Sequence, residues 1–189
     1  PGHAKASELV HAVGLVPQNP SDILYAESVA DECRQADRDA GVDDGACRAL
    51  LTELAPDISD HAHPRDLSEG QRLILALCVV LTAAPPLLLL DEPTRGLDYA
   101  AKRRLVTVVR RLADSGHGVV LATHDVELVA ELANRVMVMA EGEVVADGPT
   151  PQVVVSSPAF APQVSKILAP LPWLTVADVR AALPSEAAS

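Results

Sequence analysis

Basic residues are scarce in this chain: 15 Lys and Arg stand against 26 Asp and Glu, a net charge of -11 over 189 residues. Such a balance repels the phosphate backbone that supplies most nucleic-acid affinity, so a DNA- or RNA-binding role is disfavoured and no nucleic-acid partner is expected. Cysteine is sparse as well. Cys33, Cys47 and Cys78 are odd in number and contain no C-x-x-C pair, which signals neither a disulfide framework nor a zinc site and fits a reduced, cytosolic compartment. Between Pro1 and Val10 there is no long apolar stretch, so no secretory signal peptide is visible. The phosphate cradle G-x-x-x-x-G-K-[ST] is missing too, because Lys5, Lys102 and Lys166 precede Ala, Arg and Ile.

What the chain does have is apolar residues, at 49% of positions, enough at this length for one sizeable core. Leu73 to Leu90 is 18 residues without a charge, which reaches the length of a membrane span. Pro85 and Pro86 would break a helix near its end and Asp91-Glu92 follows at once, so a buried helix followed by a buried strand is the expected reading.

The pattern along the chain alternates between strands and helices. His11 to Val16 reads as a short strand closed by Pro17 and a polar turn. Ser28 to Leu54 is charged, with Asp31, Glu32, Arg34, Asp37, Arg38 and Asp39 alternating in sign, and is expected to be a solvated helical subdomain interrupted near Gly41. Leu87 to Leu90 suits a central parallel strand, and Ala100 to Ala113 an amphipathic helix with Lys102, Arg103, Arg104, Arg110 and Arg111 outward. Val119 to Ala122 and Val136 to Met139 flank a helix from Asp125 to Ala133, the rhythm of an α/β sheet. Beyond Gly148 the chain is rich in Ala and Pro, which restricts helices to short pieces.

Several segments carry chemistry. Leu67-Ser68-Glu69-Gly70-Gln71 precedes the apolar helix, where unpaired backbone N–H groups and a partial positive charge can hold a phosphate. Ser68 followed three residues later by Gln71 is equally a capping box that any helix start can use. Leu87 to Leu90 delivers Asp91 and Glu92 to the carboxyl edge of a sheet, where α/β proteins bind ligands, although Asp-Glu-Pro is also an acceptable strand-ending turn. Asp98, in Gly96-Leu97-Asp98, reads by itself as a helix N-cap. His124 follows a strand in Ala122-Thr123-His124-Asp125, and Gln18 follows the first one; each is uninformative alone.

Taken in order, these stations resemble the ABC ATPase family over roughly Val13 to Gly148. Leu67 to Gln71 is similar to its signature motif LSGGQ, with Glu69 in place of the first glycine. The resemblance implies that Ser68, Gly70 and Gln71 contact the γ-phosphate of an ATP held by a facing cassette, Gly70 allowing close approach. It implies that Asp91 and Gln18 bind Mg²⁺, that Gln18 relays motion to a membrane subunit, and that Glu92 orients and deprotonates the attacking water. Asp98 would sense the other nucleotide site, and His124 would contact the γ-phosphate. A carboxylate at Glu69 beside a triphosphate is unfavourable unless its side chain turns toward solvent, which is the orientation expected.

The expected fold is α/β, an incomplete P-loop NTPase of the ABC ATPase type. It would comprise a partial domain over residues 1–148 with a helical subdomain at about 23–85, and a C-terminal tail over 149–189. The cofactors implied are ATP and Mg²⁺. The partners implied are a second cassette, identical or different, and a transmembrane transporter subunit, which places the chain in the cytoplasm against the inner face of the membrane. His63-Pro64-Arg65-Asp66, Pro93-Thr94-Arg95-Gly96 and Trp173-Leu174-Thr175-Val176 further resemble the second cassette of energy-coupling-factor importers. With no phosphate cradle, the chain alone is expected not to hydrolyse ATP, and a non-catalytic interaction module is the alternative. The family's P-loop strand lies between the histidine strand and the next one. Its absence predicts that Leu87 to Leu90 pairs with Val119 to Ala122, and that Val136 to Met139 pairs only with Val144 and Val145 across the Glu141-Gly142 turn.

Overall fold

The structure is a computed structural model and describes residues 9–156, 161–171 and 173–183. The chain divides into two compact units, at Thr123 and His124.

In the first unit the uncharged run resolves as expected into helix and strand. Ser68 caps a helix over Glu69–Leu81, and after the two prolines a strand runs over Leu87–Asp91. Strands β1 (Val13–Val16), β2 (Leu87–Asp91) and β3 (Gly118–Ala122) form a parallel sheet in that order. Leu88 and Leu90, at 0% and 1% exposure, face the core, as do Leu75, Ala76, Leu77 and Cys78 of the helix, so the charge-free run is the centre of the unit. A transmembrane reading of this run is excluded by the break itself, and no helix among the described residues is long and apolar enough to cross a membrane. The other side of the sheet is open. Leu15 pairs with Leu89 and Leu89 with Val120, so these three make one row across the strands, and Leu15 and Val120 remain 54% and 53% exposed.

Helices α1 (Val29–Ala40), α2 (Ala46–Leu54) and α3 (Glu69–Leu81) pack together, and α4 (Tyr99–Asp114) covers the sheet with Leu105, Val106, Val108 and Val109. Gly41, at φ +65°, ends α1 where the sequence pattern breaks. The helical subdomain is less solvated than its charge predicts. Glu32 and Asp37 are 4% and 1% exposed because they serve backbone N–H groups: Glu32 accepts from Ala26 at 2.8 Å, and Asp37 from Gly45 and Cys47. The strand expected from His11 begins at Val13 instead, since Val10 to Ala12 form a turn closed by the Ala12 N–H on the Leu9 carbonyl.

The second unit holds α5 (Val126–Leu132), β4 (Arg135–Ala140), β5 (Glu143–Pro149), and the short helices α6 (Thr150–Ser156), α7 (Gln163–Leu168) and α8 (Val176–Ala182). Strands β4 and β5 pair antiparallel, with Met139 opposite Val144 and an irregularity at Val138/Met139 that leaves Val145 as the extra residue. Among the described residues no ladder joins β3 to β4. Both expected pairings are therefore present: β2 with β3, and among the described strands β4 with β5 alone.

Candidate functional site

The carboxyl edge of the parallel sheet gathers the residues singled out on its strands. Val16 pairs with Leu90, and Asp91 with Ala122, so Gln18, Glu92 and Thr123 all stand just past the ends of neighbouring strands. Asp91 is the last residue of β2 and is exposed, whereas Glu92 is half-buried. The Glu92 backbone turns sharply there, at φ +45°, a region few non-glycine residues occupy, and its N–H is held by the Ala122 carbonyl at 2.8 Å. Thr123 donates its hydroxyl to Glu92 Oε2 at 3.2 Å. Gln18 and Glu92 line one small cleft together with Glu69, Arg95, Leu73 and Leu97.

The signature segment is placed by its helix. Ser68 Oγ accepts the Gln71 N–H at 3.3 Å and Gln71 Oε1 accepts the Ser68 N–H at 3.0 Å, a complete capping box. The capping reading of these two residues is thus realised in this conformation. Gly70 serves packing: a Cβ there would stand 2.7 Å from Ala101 Cβ, so only glycine lets α3 sit this close to α4. Glu69 does not turn wholly to solvent. Its carboxylate meets Arg72 Nη1 at 2.9 Å, and its side chain is 49% exposed. Arg72 in turn donates to the carbonyls of Pro64, Arg65 and Leu67.

Asp98 caps α4, its Oδ1 accepting the Ala101 N–H at 2.7 Å. His124 is exposed and opens the second unit, directly after Thr123. Arg72 and Thr123 escaped the sequence reading. The spacing of three residues from Glu69 on a helix signals the first; nothing local signals the second, which is 31 positions from its partner.

The donor set suits a hard cation at the sheet edge. A carboxylate oxygen such as that of Asp91 and an amide oxygen such as that of Gln18 are the kinds of ligand Mg²⁺ takes while keeping several waters. No three described His, Cys, Asp or Glu side chains converge on a ready-made metal cage. A triphosphate fits less well, because the chain has no Lys followed by Ser or Thr to cradle it.

A family model described as "AAA domain, putative AbiEii toxin, Type IV TA system" matches residues 15–130. The chain is 69% identical over 183 residues to a "Putative ABC transporter ATP-binding protein" of Streptomyces avermitilis, covering 97% of this chain and 33% of that protein. It is 32% identical over 164 residues to a protein of the same description from Clostridium tetani, covering 86% and 38%. The chain thus spans about a third of the length of these curated relatives. Among solved structures it resembles cbiO1 of Clostridium perfringens, described as part of the ABC transporter complex cbiONQ, at TM-score 0.67 and 26% identity, covering 85% of this chain and 66% of that one. An "ATP binding subunit of ABC transporter" matches at TM-score 0.69 and 20% identity, over 85% of this chain and 68% of that one, a likeness of fold.

Proposed function

Because the chain belongs to the ABC transporter ATP-binding proteins, with their ABC ATPase-like α/β fold, we propose that it is the part of such a subunit that carries the signature, the catalytic carboxylate and the switch histidine. The observation that carries this reading is the meeting of Gln18, Glu92 and Thr123 at one sheet edge. In the proposal residues 1–148 are a partial ATPase domain and 149–189 its tail, and the phosphate cradle is supplied by sequence outside these 189 residues.

MgATP bound to such a cradle supplies the scissile phosphate and the metal charge. Asp91 and Gln18 would provide oxygens for the Mg²⁺, and Glu92 would take a proton from the attacking water, a task that requires a carboxylate within one hydrogen bond. The Ala122 carbonyl and the Thr123 hydroxyl hold Glu92 in place for it. By the family resemblance His124 would contact the γ-phosphate, and Asp98 would sense the second site. Ser68, Gly70 and Gln71 present the end of α3 to a nucleotide on a facing cassette. Within the capping box Ser68 Oγ only accepts, so its hydroxyl hydrogen stays available to a phosphate oxygen.

The partners in this reading are a second cassette, identical or different, and a transmembrane subunit, with the chain peripheral on the cytoplasmic face. A groove of about 480 Å³ beside the Gln18 loop, lined by Leu24, Tyr25, Glu27, His63 and Arg65, is the surface offered to the membrane subunit. Tyr25 is 82% exposed there. Import, and the energy-coupling-factor type in particular, is supported by the His63 to Asp66, Pro93 to Gly96 and Trp173 to Val176 segments.

One feature favours a second reading, a non-catalytic module that binds partners without its own nucleotide: the missing cradle. Phosphate release assays separate the two. The first reading expects a full-length protein containing this chain to hydrolyse ATP, Glu92→Gln to abolish turnover, and the 189-residue chain alone to be inactive. A full-length protein that binds no MgATP supports the module instead.

A further inference from the structure

The signature segment departs from LSGGQ at one position, Glu69, and the structure pairs that departure with a specific cation. A carboxylate is welcome at the first turn of an isolated helix but repels a triphosphate docked on the same turn. At a separation of about 8 Å in a partly screened site, that repulsion is on the order of a tenfold loss of affinity.

Arg72 lies one turn further along α3. Its Nη1 donates to Glu69 Oε1 at 2.9 Å, while Nη2 donates to the Leu67 and Arg65 carbonyls at 2.8 and 3.3 Å and Nε to the Pro64 carbonyl at 3.3 Å. Its side chain is only 15% exposed against 49% for Glu69, so the guanidinium is fixed by the preceding loop and the carboxylate comes to it. A rigid planar fork suits this task better than a flexible ammonium. The Glu69 stem is held as well. Gly96, at φ +74°, has no side chain, and a Cβ there would stand 3.3 Å from Glu69 Cγ. Glu69 therefore lies sideways, between α3 and the Gly96-Leu97-Asp98 loop, along the cleft it shares with Gln18 and Glu92.

We propose that Arg72 is a positioning residue that neutralises Glu69 and draws its carboxylate off the exposed end of α3, so that a signature carrying a carboxylate still accepts a nucleotide phosphate. The inference rests on the reading of Leu67 to Gln71 as a phosphate-holding signature.

The test is a double-mutant cycle in the full-length protein, read as KM for MgATP and kcat. Arg72→Ala raises KM about tenfold with little change in kcat, and Glu69→Gln lowers it about twofold by removing residual charge. The double variant returns to within about threefold of wild type, and Arg72→Lys is intermediate. A double variant as impaired as Arg72→Ala overturns the proposal, because Arg72 would then only staple the loop from Pro64 to Leu67. Should the wild-type protein bind no MgATP, the signature reading fails and melting curves decide the pair. Both single changes break the same ion pair, so their combined drop in Tm falls short of the sum; additive drops overturn the pairing.

Discussion

The carboxylate of Asp37, on α1, accepts the backbone N–H of Cys47 at 2.8 Å and that of Gly45 at 2.7 Å, closing the start of α2 from outside that helix. Gly45 precedes α2 and has no side chain to cap it, so the acceptor comes from the neighbouring helix. Asp37 is 1% exposed. Asp37→Ala strands the buried Cys47 N–H, while the N–H of exposed Gly45 can turn to water, and is expected to cost about 2 kcal/mol in urea unfolding. A loss under about 1 kcal/mol would mean that other acceptors replace it.

Gly70→Ala should destabilise despite alanine's better helix propensity, because the new methyl meets Ala101 Cβ and neither atom can rotate away. Overpacking of this kind costs about 1–3 kcal/mol. The second change Ala101→Gly should recover most of that loss even though it costs about 1 kcal/mol of propensity by itself. Thermal melts of the four proteins measure it; a double variant less stable than Gly70→Ala refutes the contact.

All three thiols are buried, at 2%, 0% and 0% exposure for Cys33, Cys47 and Cys78. Burial pushes the Cys78 thiol up, and the hydrogen bond with Cys47 together with burial pushes Cys33 up. Iodoacetamide should therefore label these two in the folded chain more than about a hundredfold slower than a free thiol, and rapidly in guanidinium. Labelling at the free rate would place them at the surface.

Arg135 grips Asp147 with two parallel bonds, Nε to Oδ1 at 2.8 Å and Nη2 to Oδ2 at 2.7 Å. These bonds hold the Asp147 carboxyl below the usual carboxylate range. A depressed carboxylate stabilises the fold only while ionised, so the contribution is present above about pH 4 and is lost as pH falls through the depressed value. Arg135→Ala should return the Asp147 titration upward, toward the ordinary carboxylate range, as followed by carboxyl carbon chemical shift. A titration that stays put removes the guanidinium as its cause.

Much of this was legible because it depends on neighbours in sequence. The caps at Ser68 and Asp98 follow from residue type and spacing, and the helix and strand hidden in Leu73 to Leu90 follow from two prolines and a closing Asp-Glu. The burial of Glu32 and Asp37 was not legible, since a charge-rich helix gives no sign that loops will bring N–H groups to its carboxylates. The Thr123 bond to Glu92 was hidden for a similar reason: it exists only once β2 and β3 lie side by side. The sideways course of Glu69 needed Gly96, a residue whose lack of a side chain makes room 27 positions away in the chain.

The row of Leu15, Leu89 and Val120 would tie the stability of the sheet to the concentration of whatever covers it. Half-exposed apolar side chains on adjacent strands, beside a β3 edge that no described strand pairs with, leave apolar area and ladder groups for another polypeptide to complete. A separate piece contributing a strand and an apolar helix face would then act on this chain as a ligand acts on a receptor. By mass action, such a complement at a hundredfold its Kd would add about 2.7 kcal/mol, so a mixture of the two pieces would melt later as both are raised together.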